Sequence, residues 1–297
     1  MSDFELEIWP GPMEGVMSAE FLHACRRLSL ASRWMTPFFR VSAQVPKLKT
    51  VTEHLQAFLP ERQPVAAQIM GTAPDILAAT ARLMLRAQAA EVDLNCGCPS
   101  KRVVSGGAGG GLLRQPDRLR RILETLRAVL PDGKFSVKTR IGWDVDAMEE
   151  LLELILASGR PDRIFVHIRT VLEQYRDLAD VAMPRYERLL ALAQAHPETV
   201  WVFNGDLSLD HWLIPRLREL DQRFGVMICR NWMRDPFLLR RLAGDADLPD
   251  PATGRQRFFA EFSEQQPGFG SRLELARMLW GANSPKFAEL LSVAANN

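Results

Sequence analysis

The sequence has no long apolar segment and few cysteines. No part of the 297-residue chain reaches the run of about 18 consecutive apolar residues that indicates a transmembrane helix. The amino terminus, MSDFELEIWP, includes acidic side chains and lacks the basic and apolar regions of a secretory signal. Four cysteines, two of them in Cys96-Gly97-Cys98, are too few for a disulfide-stabilised secreted protein of this length. These absences predict a cytoplasmic protein.

The sequence also lacks an excess of positive charge. Its 37 Lys and Arg residues nearly balance 36 Asp and Glu residues, which gives a formal net charge of +1. Proteins that bind a polyanion usually have a basic excess, because each neutralised phosphate releases counterions. An RNA partner would therefore require positive charge that is clustered on one surface.

Short apolar runs alternate along the chain with amphipathic stretches of helical length. Nearly continuous apolar runs are typical of parallel strands that are covered on both faces. Eight such runs alternating with helices predict an α/β fold, a (β/α)₈ TIM barrel over residues 1–247, with an open doubly wound sheet as the alternative. The predicted strands are Leu6–Met13, Trp34–Val41, Val65–Met70, Val92–Asn95, Phe135–Ile141, Ile164–Ile168, Val200–Asn204 and Val226–Cys229, and the predicted helices include Asp75–Ala90, Asp117–Leu130, Asp144–Ser158 and Tyr186–Ala195.

The composition changes near Leu248. The segment 249–254 is rich in proline and polar residues and resembles a linker. Beyond it the pattern predicts helices at Arg255–Glu264, Ser271–Trp280 and Pro285–Ala294. A region of this size cannot bury much apolar surface alone. We therefore predict a small helical domain over residues 248–297 that packs against the barrel.

Polar, charged and thiol side chains cluster at the predicted carboxyl ends of the strands, where a (β/α)₈ barrel has its active site. Taken singly, Cys96 and Cys98 could be buried small hydrophobes, and His167 could be a core histidine. A zinc site is not favoured, because one residue separates the two cysteines and no second Cys/His pair has ligand spacing. The candidates are Pro12, Met13, Glu14, Gln68, Asn95, Cys98, Lys138, Arg140, His167, Arg169, Asn204, Gly205, Asp206, Cys229 and Arg230.

The segment Gly106–Gly111 is rich in glycine. No Gly-Lys-Ser/Thr follows it, so it is not a P-loop, and it does not lie directly between a strand and a helix as a dinucleotide fingerprint does. Glycine gives the backbone access to many conformations. We predict a mobile loop over the site, with a plain flexible connector as the alternative.

Five segments contain motifs in a characteristic order: 12–16 (PMEGV), 93–101 (DLNCGCPSK), 137–143 (VKTRIGW), 167–170 (HIRT) and 204–206 (NGD). Together they resemble the tRNA-dihydrouridine synthase family, in the form of its bacterial C-type subfamily. The segment 93–101 is similar to the family's Asn-x-Gly-Cys-Pro signature and is the most specific of the five. The region 248–297 is similar to the family's helical RNA-binding domain only in position and helicity.

The resemblance implies a barrel that binds FMN, is reduced by NADPH and reduces uridine in tRNA to 5,6-dihydrouridine. Hydride would reach C6 of the uracil ring, and a proton would reach C5 from the opposite face. Cys98 matches the general acid, and a thiol with a pKa of about 8.5 is largely protonated at neutral pH. Positions that match flavin contacts are Pro12, Met13, Glu14, Gln68, Lys138, His167, Asn204, Gly205, Asp206, Cys229 and Arg230; the candidates for substrate contact are Asn95, Arg140, Arg169, Tyr175, Arg272 and Arg277.

Four residues depart from the family pattern. Ile168 stands where a glycine usually follows the histidine, and Pro37 stands where an acidic residue is common. Cys229 and Asn231 replace the two glycines of a Gly-Arg-Gly motif at the expected phosphate site. Bulk at these positions predicts weaker flavin binding or a shifted flavin pose.

Two other functions stay open at this point. One is a barrel flavoenzyme that reduces a small pyrimidine, and the other is a tRNA-binding relative that has lost its flavin chemistry. The C-type likeness suggests uridine 16 of the D-loop as the target, and a monomer is favoured. Further basic residues that either contact RNA or are simply solvated are Lys47, Lys49, Lys101, Arg102, Arg255, Arg257 and Lys286.

Overall fold

The computed structural model describes residues 4–59, 63–174, 176, 178 and 181–295. Within them, nine strand segments form one parallel sheet: β1 (Glu7–Pro10), β2 (Trp34–Met35), β3 (Phe39–Arg40), β4 (Val65–Met70), β5 (Glu91–Cys96), β6 (Phe135–Arg140), β7 (Arg163–His167), β8 (Val200–Asn204) and β9 (Phe224–Ile228). The order is β1-β9-β8-β7-β6-β5-β4-β2, with β3 also paired to β4, and β1 adjoins β2 so that the circle nearly closes. The predicted (β/α)₈ barrel is confirmed, and the open doubly wound sheet is wrong.

The predicted strand Trp34–Val41 is divided into two short segments. The backbone N–H of Thr36 still donates to Ala66 at 3.0 Å. Pro37, however, has no N–H with which to continue the ladder. Pairing with β4 resumes only at β3. One continuous strand is therefore a wrong prediction here, and Pro37 and Phe38 lie in the break between the two segments.

Helices lie between the strands and follow the last of them. They are α1 (Ala19–Arg27), α2 (Leu48–Leu55), α3 (Pro74–Arg86), α4 (Lys101–Val104), α5 (Pro116–Arg127), α6 (Met148–Gly159), α7 (Ala182–Ala195), α8 (Leu213–Glu219), α9 (Arg230–Arg234), α10 (Leu238–Leu242), α11 (Pro251–Glu264), α12 (Phe269–Trp280) and α13 (Pro285–Ala295), with a 3₁₀ helix at Gly109–Arg114. α6 begins at Met148, later than the predicted start at Asp144, and the N–H of Met148 donates to the carboxylate of Asp146 at 3.3 Å. Among the residues described, a membrane-spanning helix is not found.

The barrel interior is apolar in its middle and charged at the amino-terminal ends of the strands. Trp9 and Phe165 pack edge to face with ring centroids 5.1 Å apart. Arg163, the first residue of β7, forms ion pairs with Glu7 and Glu91. These opposite charges fill the amino-terminal end of the barrel and leave the other end for a site.

Helix α11 begins inside the segment that was predicted to be a linker. Asp250 caps it by accepting hydrogen bonds from two backbone N–H groups at 2.9 and 3.1 Å. Pro251 occupies the first turn, where its missing N–H is not needed. Phe258 of α11 packs against Phe21 of α1 with ring centroids 5.2 Å apart. The linker prediction is therefore wrong from Pro251 onward, whereas the division into domains at residues 1–247 and 248–297 stays a prediction.

Candidate active site

A cavity of about 810 Å³ opens at the carboxyl ends of the strands. This volume lies in the range of cofactor and small-molecule sites. Most of the candidate residues line it, although they come from seven different strands with their loops and from helix α12. Those that line it are Pro12, Met13, Glu14, Gln68, Asn95, Cys98, Lys138, Arg140, His167, Asn204, Gly205, Asp206, Cys229, Arg230 and Arg277.

Three candidates for substrate contact are not found among the residues that line the cavity. Arg169 and Arg272 are not among the residues that line the cavity in the described part of the chain. Arg169 is only 1% exposed and binds Asp206, so its position does not support the direct substrate contact expected of it. Arg272 lies on α12 with its Nε atom buried. Tyr175 lies outside the described residues.

Several lining residues were not named as site residues from the sequence: Val16, Pro37, Phe38, Gly97, Pro99, Ser100, Lys101, Gln174, Glu274 and Met278. Pro37 and Phe38 were missed because they were placed inside a strand. Glu274 and Met278 have the helical spacing that puts them on one face of α12 with Arg277. The spacing alone could have predicted that these three residues share one face of α12. Nothing local in the sequence indicates that this face reaches the cavity.

The Asn95 side chain fixes the backbone of the segment that contains Cys98. Its amide oxygen accepts hydrogen bonds from the backbone N–H groups of Gly97 and Cys98, each at 3.0 Å. Its amide nitrogen donates to the side-chain oxygen of Gln68 at 2.8 Å. The segment after β5 is therefore anchored to β4 through two side-chain amides.

The two cysteines of this segment differ in their surroundings. Cys98 is half-buried in the cavity wall, and this burial raises the pKa of its thiol. Cys96 is fully buried in the core, and burial raises its pKa further. A raised pKa keeps a thiol protonated at neutral pH. Cys98 thus presents a protonated thiol to the cavity, and Cys96 is a core residue.

Lys138 is positioned by a neighbouring strand. Its ammonium group donates to the side-chain oxygen of Asn204 at 3.3 Å, and the amide nitrogen of Asn204 donates to the carbonyl of Met227 at 2.8 Å. Burial lowers the pKa of Lys138 from its usual value. The cavity wall therefore contains the ammonium group of Lys138, whose position is fixed by the anchored side chain of Asn204.

His167 is enclosed by cationic side chains. Burial, followed by the charges of Arg140 and Lys138, holds its pKa well below the usual value. Its Nε2 atom lies 3.1 Å from a guanidinium nitrogen of Arg169. Because a guanidinium can only donate, Nε2 must accept, and the proton of the neutral ring is on Nδ1.

Asp206 forms ion pairs with two arginines, one buried behind the cavity and one in its wall. Arg169 and Arg230 both form ion pairs with its carboxylate. Burial favours the protonated form of Asp206, but the hydrogen bonds from the two arginines outweigh it and keep the pKa of this carboxyl below its usual value. Arg230 is half-exposed and lines the cavity, so it is the arginine of the pair that can reach a ligand.

The glycine-rich segment is packed rather than loose. Gly109, Gly110 and Gly111 are buried within the 3₁₀ helix. The N–H of Gly110 donates to the carbonyl of Cys98 at 3.0 Å, and a Cβ atom at Gly110 would lie 2.7 Å from Val171. The prediction of a mobile loop over the site is wrong for these glycines. They allow the chain to pack closely against the Cys98 segment.

The four departures from the family pattern do not all reach the cavity. Ile168 is a core residue with 1% exposure. The side-chain nitrogen of Asn231 donates to the carbonyl of Leu207 at 2.8 Å, and Asn231 does not line the cavity in the described structure. Only Pro37 and Cys229 line it. Among these four positions, only Pro37 and Cys229 could therefore crowd a flavin in the cavity directly.

The residues of the cavity fit an FMN molecule. Side-chain amides of Gln68 and Asn95 and the ammonium group of Lys138 can bind the polar edge of a flavin ring. Arg230 can bind a phosphate group, since arginine is suited to charged hydrogen bonds with phosphate. A Cβ atom at Gly205 would lie 2.2 Å from the hydroxyl of Tyr186, so this glycine allows the buried tyrosine to pack against the backbone of the cavity wall. Among the described residues, no cluster of metal-binding side chains competes with this assignment.

Solved structures with a similar fold are barrel proteins. The old yellow enzyme from Trypanosoma cruzi matches with a TM-score of 0.56 and 10% identity, over 87% of this chain and 94% of that one. Morphinone reductase in complex with tetrahydroNAD matches with a TM-score of 0.52 and 12% identity, over 83% of this chain and 89% of that one. At such low identity the likeness establishes the fold alone.

Proteins with similar sequences identify the family of this chain, which the similar folds alone do not. A tRNA-dihydrouridine(20/20a) synthase of Xylella fastidiosa (strain 9a5c) is 28% identical over 246 residues, 77% of this chain and 71% of the relative. A tRNA-dihydrouridine(16) synthase of Salmonella typhimurium is 33% identical over 172 residues, 56% of this chain and 55% of the relative. The family model "Dihydrouridine synthase (Dus)" matches residues 10–266. This chain therefore belongs to the dihydrouridine synthase family.

Proposed function

We propose that this chain reduces uridine 16 in the D-loop of tRNA, with Cys98 as the proton donor. The broader activity follows from membership of the family: the chain is an FMN-dependent oxidoreductase that forms dihydrouridine in tRNA and uses NAD(P)H as reductant. The target position is the finer part of the proposal, because similar relatives are named for position 16 and for positions 20 and 20a.

The observation that best supports the site is the position of the Cys98 thiol. It is half-buried, its pKa is raised, and it lines the same cavity as Lys138 and Asn95. Reduction of the C5–C6 double bond needs a hydride at one carbon and a proton at the other. Bound FMN supplies the hydride. The Cys98 thiol gives its proton to C5, and the resulting thiolate regains a proton from solvent.

Other residues of the cavity bind and orient the reactants. Lys138 stabilises negative charge that develops during the transfer. Gln68 and Asn95 offer amide groups to the rings, and Arg230 binds the phosphate of the cofactor. The target base must leave the RNA stack to enter the cavity, which favours a base in a loop.

The two alternatives predict different results. An enzyme for a small pyrimidine would oxidise NADPH in air-free solution when a free pyrimidine is added without tRNA, whereas we expect sustained oxidation only with added tRNA. A relative that has lost its flavin chemistry would be colourless when purified, whereas we expect yellow protein. A cytoplasmic location and a monomeric state belong to the same proposal.

Mass mapping of tRNA fragments, together with nucleoside mass analysis for total dihydrouridine, tests the function directly. In cells that lack this protein, dihydrouridine should be lost at position 16 and kept at the other D-loop positions. Restoring the wild-type chain should restore it, and restoring Cys98→Ala should not. Unchanged dihydrouridine in the deletion strain would contradict the activity, and loss at position 20 instead would contradict the target.

A further inference from the structure

Asp93 is a buried carboxylate that lies beneath the cavity and has no part in the reaction described above. It belongs to β5, two residues before Asn95, and it is fully buried. We propose that Asp93 is a positioning residue that fixes the orientation of the Gln68 and Asn95 amides and, through them, the place of Cys98. Its link to catalysis rests on the proposed function.

The direction of each hydrogen bond follows from the backbone of the Cys98 segment. The N–H groups of Gly97 and Cys98 can only donate, so the atom of Asn95 that they contact must be its oxygen. The nitrogen of Asn95 then points to Gln68, whose oxygen accepts at 2.8 Å. The nitrogen of Gln68 must consequently find an acceptor, and Asp93 provides it at 2.8 Å.

A carboxylate is suited to the end of this chain of hydrogen bonds. When Asp93 is ionised, both of its oxygens accept. When it is protonated, the oxygen towards Gln68 still accepts if the proton lies on the oxygen towards Ser136, whose hydroxyl can then donate to Glu91. The second oxygen of Asp93 accepts a hydrogen bond from the hydroxyl of Ser136 at 3.0 Å. Ser136 also contacts Glu91 at 3.2 Å. Ser136 therefore fixes the carboxylate of Asp93 through the oxygen that does not bind Gln68.

The acceptor at this position stabilises the one arrangement of the two amides that the backbone N–H groups of Gly97 and Cys98 allow. If Gln68 flips, its nitrogen meets the nitrogen of Asn95, and two donors face each other. If Asn95 then flips, its nitrogen meets the N–H groups of Gly97 and Cys98. Without Asp93, the nitrogen of Gln68 keeps only the sulfur of Met35, a weak acceptor at 3.1 Å. Either it stays in this poorly bonded state, which is costly, or the segment of Cys98 moves.

Three variants separate positioning from a general structural role. Asp93→Leu keeps a side chain of similar size and removes the acceptor. Asp93→Asn can keep an amide oxygen towards Gln68 as the acceptor. Its amide nitrogen would then donate to the hydroxyl of Ser136, and that hydroxyl would donate to Glu91. Ser136→Ala is the matched control, because it removes a buried partner of Asp93 and leaves the bond to Gln68.

The first measurement does not require activity. In the FMN-loaded enzyme, the rate at which iodoacetamide alkylates Cys98 can be followed by peptide mass mapping. A hydrogen bond of this kind corresponds to about five- to tenfold in an equilibrium. We expect alkylation of Cys98 to be faster by about that factor in Asp93→Leu, and to be unchanged in Asp93→Asn and Ser136→Ala.

The second measurement is dihydrouridine formation at saturating tRNA. Misplacement of a catalytic group by about 1 Å can reduce a rate about 10²-fold. We expect kcat of Asp93→Leu to fall by about 10- to 100-fold with KM for tRNA unchanged, and Asp93→Asn to recover most of it. Ser136→Ala should have a lower thermal unfolding temperature and a nearly normal kcat.

Clear outcomes would overturn the proposal. A folded Asp93→Leu enzyme with wild-type alkylation and kcat would do so, as would an Asp93→Asn enzyme as impaired as Asp93→Leu. If Asp93→Leu does not fold, Asp93→Ala provides the same comparison. If the wild-type chain forms no dihydrouridine, the proposed function fails, but the alkylation rates still decide whether Asp93 positions Cys98.

Discussion

The ammonium group of Lys138 is bound by the side-chain oxygen of Asn204 at 3.3 Å. Asn204 is anchored in turn to the carbonyl of Met227 on β9. Among the described residues no carboxylate forms an ion pair with Lys138, and its hydrogen-bond acceptor, the Asn204 amide, is neutral. The charge of Lys138 is therefore available to a bound ring.

Removing Lys138 or Arg230 should weaken flavin binding. We expect Lys138→Ala and Arg230→Ala to give pale protein that regains colour with excess FMN, since charged hydrogen bonds to a ligand are among the stronger ones. Lys134→Ala, just before β6, and Arg234→Ala, at the end of α9, are matched controls and should stay yellow. Visible absorbance after extensive dialysis is the measurement. Full occupancy in both cavity variants would contradict the proposed site.

Cys98→Ala should separate flavin chemistry from proton transfer. We expect normal FMN content and normal reduction by NADPH, with uridine reduction slower by about 10²–10⁴-fold, the usual contribution of a general acid. Cys96→Ala is the control, because Cys96 is buried in the core and does not line the cavity in the described structure. Single-turnover reoxidation of the reduced enzyme by tRNA measures the difference. Near-normal turnover by Cys98→Ala would contradict the role of Cys98 as the proton donor.

Gly110→Ala should disturb the Cys98 segment. The added Cβ atom would lie 2.7 Å from Val171 and 3.0 Å from the carbonyl of Cys98, and overpacking of this kind costs about 1–3 kcal/mol. We expect a lower thermal unfolding temperature and a lower kcat, partly restored by adding Val171→Ala. Gly106→Ala has only ordinary contacts, the nearest at 3.5 Å, and should behave like wild type.

The strands and the convergence of their ends were predictable because both depend on local patterns. Continuous apolar runs specify buried parallel strands, and a barrel brings their carboxyl ends together wherever they occur in the chain. The errors came from single residues that act against such patterns. Pro37 interrupts a strand, and Asp250 with Pro251 starts α11 inside an apparent linker.

The remaining features of the site depend on contacts between distant segments. The packing of Gly110 against Val171 turns a glycine-rich segment into a compact support, and no local property of glycine indicates which of the two it will be. In the same way Arg169 follows a strand like the other candidates, but its ion pair with Asp206 buries it. Such partners are visible only in three dimensions.

The buried carboxyl of Asp93 should make stability depend on pH. Burial raises its pKa to about 7, with Glu91 adding to the shift and Lys138 opposing it. Between the unfolded value of about 4 and about 7, the folded state binds more protons than the unfolded state. The free energy of unfolding should therefore fall as pH rises through this window, by at most about 1.4 kcal/mol per pH unit, and level off above it. Asp93→Asn should lack this contribution; equal slopes for the two proteins in denaturant titrations would contradict it.

Arg277 of α12 lines the cavity and forms an ion pair with Glu274, with the two closest hydrogen bonds at 2.6 and 3.1 Å. If α12 contacts tRNA, Glu274 competes with phosphate for this arginine. Glu274→Gln should then strengthen tRNA binding in a filter or fluorescence assay, because it removes the competing carboxylate. Weaker or unchanged binding would indicate that the pair serves only the helix.

Replacing Arg272 and Arg277 together tests whether α12 binds RNA at all. Each phosphate contact contributes a log–log slope of about −0.7 to −0.9 to the salt dependence of affinity. The double variant should therefore bind tRNA more weakly and flatten the slope by about one to two units. Arg188 and Arg216, which form ion pairs on the outer helices α7 and α8, provide a control double variant of equal charge change. Flavin content should be normal in both, and salt titrations that coincide with wild type would place the RNA surface elsewhere.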